Sequence, residues 1–150
     1  MPARITTTAK TESLCQQDWR KAAITHRYRY VDASGELVQE AVRKACADGC
    51  EGGPQKRFAQ AYYVGTRRFS GEGAKDEAIA HGWKPVLYRL PRLLEAVANC
   101  EPIWVCEGEK DADRAVEEAG VAATTNASGA LGGEKEWPEL LRAGGGGSSD

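Results

Sequence analysis

The stretch that most limits the fold is Ile103-Trp104-Val105-Cys106-Glu107-Gly108-Glu109-Lys110-Asp111-Ala112-Asp113. Four apolar residues in a row are followed at once by a carboxylate, a glycine and an acidic run. A short continuous apolar run bounded in this way reads as a strand covered on both faces, as in parallel sheets. Lys110 to Ala119, closed by Gly120, reads as a helix with a glycine at its C-terminal stop. Val121 to Thr125 then reads as a second parallel strand, which completes a strand–helix–strand crossover. Glu107 falls at the carboxyl end of the first strand, where open α/β sheets place their ligand chemistry. A carboxylate there, backed by a helix N-terminus, is placed to hold Mg²⁺ through oxygen. Gly108 reads as the residue that permits a tight strand-to-helix turn.

Upstream, the pattern is antiparallel. His26 to Asp32 alternates basic and aromatic residues, Ala33-Ser34-Gly35 supplies a turn, and Glu36 to Lys44 follows as a partner strand. Lys56 to Val64 reads as a third strand. Gly65 to Lys84 is polar and glycine-rich, without a sustained period, and reads as a surface excursion. Val86 to Leu90 reads as a short strand or extended segment. Pro91 opens a helix whose Leu93, Leu94, Val97 and Ala98 recur at helical spacing. The fold class is therefore α/β: an N-terminal antiparallel hairpin or three-stranded region, then a parallel βαβ unit. The expected organisation is a flexible lead over 1–25, with a short helix around Leu14 to Ala23 as its one candidate element. A small β region over 26–85, an α/β domain over 86–142 and a disordered Gly/Ser tail over 143–150 follow. Within 86–142, Asn126 to Gly133 reads as a Gly/Ser/Asn loop and Glu134 to Arg142 as a helix.

Composition excludes several classes. A hydrophobic fraction of 41% and a charged fraction of 28% are those of a soluble globular chain. No apolar run approaches the roughly 18 residues of a membrane helix. Met1 to Lys10 has no hydrophobic signal-peptide core, so no membrane partner and a cytoplasmic location are expected. The odd set Cys15, Cys46, Cys50, Cys100 and Cys106 reads as reduced thiols, with Cys106 acting as a small core hydrophobe. Cys46 and Cys50, with His26 or His81 as distant helpers, offer only two local ligands, so zinc is not expected. Tyr62, Tyr63, Trp83, Trp104 and Trp137 read as core or contact aromatics.

The net charge of −2 hides a polarised distribution. Arg20 to Arg92 holds 14 Lys/Arg against 8 Asp/Glu, whereas Leu93 to Asp150 holds 4 against 12. On a strand alternate residues share a face, so Arg27 and Arg29 point together, away from Tyr28 and Tyr30. With Arg43, Lys44, Lys56 and Arg57 they form a candidate strip for the phosphates of DNA or RNA. The other reading of the same residues is a solvated face over an aromatic core.

Val105 to Asp113 resembles the first motif of a TOPRIM domain, and most resembles that of primase-like proteins of phages, plasmids and integrated elements. Tyr88-Arg89-Leu90-Pro91 before a Leu-rich helix is similar too. So are Ala123-Thr124-Thr125-Asn126 leading to Gly129, Gly132-Gly133 and Trp137, and the hairpin Tyr28 to Asp32 with Lys56-Arg57-Phe58. The resemblance spans roughly residues 26 to 137. It implies Mg²⁺-dependent nucleotidyl-transfer or phosphodiester chemistry on nucleic acid. Glu107 would be the general acid/base or join the metal site, and Asp111 would support that site or cap the helix. The family's D-x-D pair, which supplies the main metal ligands from a later strand, has no counterpart after Asn126, and its zinc ribbon is absent. The α/β unit is thus expected to be a partial TOPRIM-like one with weak or no catalysis by itself. The expected partners are DNA or RNA, nucleotides, and a replisome protein such as a helicase. The alternative expectation is a non-catalytic module that binds nucleic acid or protein, as a replisome adaptor or an inhibitor of a host nuclease or defence complex. A gene product cut short is the third.

Overall fold

In the computed structural model residues 19–46 and 56–127 are described, and they divide into two units. Residues 19–26, 42–46 and 56–59 form the first, and 27–41 with 60–127 the second. Strands β1 (Ala23–Val31), β2 (Leu37–Ala45) and β3 (Lys56–Val64) have residues in both. With β4 (Arg67–Ser70) they form an antiparallel sheet in the order β1-β2-β3-β4.

The β1–β2 turn is built by Asp32. Its Oδ1 accepts from the Ser34 hydroxyl at 2.6 Å, the Ser34 N–H at 2.9 Å and the Glu36 N–H at 3.0 Å. These donors, the Ser34 hydroxyl foremost, hold the Asp32 carboxyl below its usual range. Gly35 takes the left-handed backbone the turn requires, at φ 88°.

Gly65 to Lys84 is not a surface excursion. It contains β4, whose Phe69 pairs with Tyr62 of β3, and helix α1 (Ala74–Ala80). Tyr62, Phe69, Ala74, Ala78 and Trp83 pack into one buried cluster with Val38 and Val64 against it. The Trp83 indole N–H donates to the Val38 carbonyl at 3.0 Å. A four-residue strand and a seven-residue helix span too few repeats to show a period, so a handful of apolar residues carry the packing.

Helix α2 (Leu90–Ala98) starts with Pro91 in its first turn. It is followed by β5 (Ile103–Val105), α3 (Glu109–Ala119) and β6 (Ala122–Thr124). β5 and β6 pair in parallel, with Ile103 opposite Ala122 and Val105 opposite Thr124. Gly120 closes α3 with φ 65°. The expected strand or extended segment Val86 to Leu90 is no strand: only Val86 and Leu87 lack regular structure, Tyr88 and Arg89 turn, and Leu90 already begins α2, because Arg89 takes left-handed backbone at φ 60° as its N-cap. The Tyr88 N–H donates to the Thr125 carbonyl at 3.0 Å, and the Thr124 hydroxyl returns a bond to the Tyr88 carbonyl at 2.7 Å.

Two-sided cover belongs to β6, all three of whose residues are buried, and not to β5. Trp104 and Val105 are 57% and 58% exposed, which corrects both the covered strand and Trp104 as a core aromatic. The reason is packing: helices α2 and α3 both pack against β6, whereas α3 is the main helix against β5 among the described residues. Cys106, one residue further on, is half-buried against the cluster of Tyr28, Tyr30, Ala41, Tyr88, Ala112 and Ala123.

The short helix around Leu14 to Ala23 falls largely outside the described residues, and Ala23 itself begins β1. The zinc candidate Cys50, the glycine loop beyond Ala127, the helix Glu134 to Arg142 with Trp137, and the Gly/Ser tail also lie outside them. Among the described residues no helix is long and apolar enough to cross a membrane.

Candidate functional site

The carboxyl ends of β5 and β6 carry the residues singled out by sequence. The Cys106 N–H donates to the Thr124 carbonyl at 2.8 Å, which extends the parallel ladder one residue beyond β5. Glu107 follows, exposed, and Gly108 caps α3 with φ −151° and ψ 172°. That is extended backbone open to any residue, and a Cβ built on Gly108 meets nothing within 4 Å. The turn therefore does not require glycine, contrary to the sequence expectation.

Helical geometry divides the acids of α3 into two groups. Glu109, Ala112, Asp113 and Val116 lie at i, i+3, i+4 and i+7, on one face. Ala112 is fully buried in the tyrosine cluster, with Val116 packed against it. Flanking them, Glu109 accepts the Tyr30 hydroxyl at 2.6 Å. Asp113 accepts the Tyr88 hydroxyl at 2.9 Å and the Arg89 Nε at 2.9 Å, with Arg89 Nη2 at 2.8 Å. The tyrosine rings also touch, Tyr30 to Tyr88 at 5.1 Å and Tyr28 to Tyr88 edge-on at 6.2 Å. Arg89 makes its contacts from a left-handed backbone, φ 60°, which is strained for a residue with a Cβ. Glu109 and Asp113 are thus more than complements to the helix dipole: they fasten α3 to β1 and to the arm before α2.

Glu107 and Asp111 are both exposed, and neither has a hydrogen-bond or ion-pair partner among the described residues. Burial, and secondarily the Asp111 charge, pushes the Cys106 thiol up from its ordinary value. Burial is also the main reason the Tyr30 and Tyr88 phenols lie well above their ordinary range. The Glu109 charge adds to it for Tyr30, and the hydrogen bond to Asp113 for Tyr88.

Among the described residues no three His, Cys, Asp or Glu side chains converge as a ligand set. Two exposed carboxylates suit Mg²⁺ in its usual manner, one or two protein oxygens completed by water and phosphate, and do not suit a closed protein cage. Of the zinc candidates, Cys46 is half-buried just past the end of β2 and His26 an exposed residue of β1. His81 uses both ring nitrogens, Nε2 accepting from Arg67 at 3.1 Å and Nδ1 donating to the Glu77 carbonyl at 2.9 Å.

The six basic candidates fall in different units. In the second unit Arg27 and Arg29 are exposed and alternate with buried Tyr28 and Tyr30, as the pattern requires, and Arg27 pairs with Glu40 at 2.8 Å. In the first unit Lys44 donates to the Trp19 carbonyl at 3.0 Å, and the Arg57 guanidinium lies 4.8 Å from the Trp19 ring centre. Arg43 is half-buried and Lys56 exposed. Tyr30, Tyr88 and Arg89 were not singled out by sequence as site residues. Their signal was the i, i+4 spacing of Glu109 and Asp113 facing an alternating Tyr-x-Tyr strand. No protein-family model, curated protein or solved structure matches this chain.

Proposed function

We propose that the chain is a primase-like TOPRIM protein, or a piece of one, serving nucleic-acid replication of a mobile element, with Glu107 as its general acid/base. The observation that supports this reading is the sorting of the acids around α3. Glu109 and Asp113 are bonded to tyrosine and arginine, while Glu107 after β5 and Asp111 in the first turn of α3 stand exposed without a partner among the described residues. Glu107 is the group that would exchange a proton with a ribose hydroxyl or leaving oxygen, and Asp111 would share with it the holding of Mg²⁺. Bound Mg²⁺ supplies positive charge against phosphate oxygens. The helix N-terminus behind Gly108 adds its partial positive charge on the same side. The partners on this reading are DNA or RNA and nucleotides, with a replisome protein such as a helicase.

The test is a pair of measurements on the full chain. Mg²⁺ titration should change the emission of exposed Trp104, which shares a groove of about 260 Å³ with Asp111. Glu107→Gln should abolish both that change and any Mg²⁺-dependent primer synthesis on a single-stranded template. A flat titration of the unaltered chain, or synthesis retained in the variant, overturns the proposal. A second reading, a non-catalytic binding module, is favoured by the ligand count of two carboxylates. It predicts nucleic-acid binding indifferent to Mg²⁺ and to Glu107.

A further inference from the structure

The first unit has a charge pattern that the Glu107 chemistry does not use. Its described residues contain six Lys/Arg, namely Arg20, Lys21, Arg43, Lys44, Lys56 and Arg57, and no Asp or Glu. Over the whole sequence of that unit, 1–26 with 42–59, eight Lys/Arg stand against four Asp/Glu. The same unit holds two of the exposed large apolar side chains, Ile24 at 43% and Phe58 at 54%.

The strands sort these groups by face. Lys44 and Arg57 both reach Trp19, one through its carbonyl and the other over its ring. Strand neighbours project from opposite faces, so Arg43 of β2 and Lys56 and Phe58 of β3 leave the sheet on the side away from Trp19. β2 and β3 are adjacent in the sheet. The result is an exposed aromatic ring that shares its face with exposed Lys56 two residues earlier on the same strand and with half-buried Arg43 of the adjacent strand. An unpaired base offers a π-face for the ring, and the flanking phosphates offer charge for Lys56 and Arg43. A duplex keeps its base faces stacked and would leave Phe58 in water.

We propose that this end of the sheet is a single-strand-binding platform, on which Phe58 stacks an unpaired base while Lys56 and Arg43 hold the adjoining phosphates. It shares with the function proposed above only that the partner is nucleic acid. The test is therefore run in EDTA, where metal chemistry at Glu107 plays no part and its failure has no bearing on the outcome.

Fluorescence anisotropy of the full chain with labelled twelve-nucleotide oligothymidylate reads the affinity across a salt series. The same strand annealed to oligoadenylate, and vesicles of anionic phospholipid as competitor, serve as comparisons. Phe58→Leu should weaken binding roughly 5- to 150-fold, the range of one lost base stack, whereas Phe58→Tyr should retain it. Lys56→Gln with Arg43→Gln should flatten the log–log salt slope by about 1.4, or about 0.7 per phosphate contact on a single strand. Phe58 is exposed, so urea midpoints of its variants should match the parent and exclude misfolding as the cause. Unchanged affinity in Phe58→Leu, equal affinity for the duplex, or displacement by anionic vesicles as effective as by unlabelled oligothymidylate would each overturn the platform.

Discussion

Tyr30→Phe removes one oxygen from a fully buried side chain and tests what fastens α3 to the sheet. The lost hydroxyl donates at 2.6 Å to Glu109 Oε1, and hydrogen bonds to ionised acceptors contribute about 1.5–3 kcal/mol net. Two effects reduce that figure. Glu109 is only half-buried, so water can reach part of the vacated carboxylate, and phenylalanine is easier to desolvate than tyrosine. The ring contacts with Tyr88 survive, because no carbon is removed. The expected cost is therefore at the lower end, about 1–2 kcal/mol. Urea unfolding at pH 7 measures it as a shift in midpoint at constant slope. Glu109→Gln keeps an acceptor oxygen and should cost less than Glu109→Ala. A double-mutant cycle between Tyr30→Phe and Glu109→Ala should return a coupling of about 1 kcal/mol or more. A Tyr30→Phe protein within about 0.5 kcal/mol of the parent, with no coupling to Glu109, would refute the bond as a fastening.

Alkaline pH should destabilise the chain in a specific window. Tyr30 and Tyr88 have folded pKa values raised above the unfolded value of 10.0, so both states hold these protons below about pH 10 and only the folded state holds them above it. Stability should then fall by about 1.4 kcal/mol per pH unit per phenol above pH 10, and urea midpoints in the Tyr30→Phe, Tyr88→Phe double variant should fall less steeply. Gly120→Ala forces a Cβ into left-handed backbone at φ 65° and should cost about 1 kcal/mol by the same assay. Gly108→Ser should leave stability unchanged or raise it by a few tenths of a kcal/mol, because extended backbone at a helix N-cap suits serine; a large loss would contradict the open surroundings of Gly108.

The elements that were legible in the sequence are those whose pattern repeats several times. β3 matches the expected Lys56 to Val64 at both ends, α3 begins one residue before Lys110, and Gly120 stops it. β1 begins at Ala23, ahead of the alternation, in an exposed stretch where the Thr25 hydroxyl donates to the Arg43 carbonyl of β2 at 3.2 Å and no apolar signal is needed. β4 and α1 were hidden because packing by Phe69, Ala78 and Trp83 replaces periodicity in elements this short. The exposure of Trp104 was hidden for a different reason. An apolar run specifies a strand, but the cover of its faces depends on which helices pack against them, and here α2 and α3 both pack chiefly on β6 rather than on β5. The candidate site was half legible. The position of Glu107 after a strand and before a helix follows from the motif, whereas the capture of Glu109 and Asp113 depends on tyrosines distant in sequence.

That capture sharpens what Glu107 and Asp111 can mean. Both lie at the N-terminal end of α3, where a carboxylate gains about 0.3–1 kcal/mol from the helix dipole with no ligand present. Their exposure without partners among the described residues is therefore stable on electrostatic grounds alone, and stability measured in a single salt does not separate a metal role from a dipole role. Salt dependence does. A dipole complement loses its effect smoothly as any electrolyte screens it, so Na⁺ and Mg²⁺ at equal ionic strength should act alike. A ligand pair responds to Mg²⁺ by mass action, with a rise in urea midpoint that saturates, that Na⁺ cannot reproduce, and that Glu107→Gln abolishes. Equal responses of the parent chain to the two salts would leave the dipole as the complete account of both carboxylates.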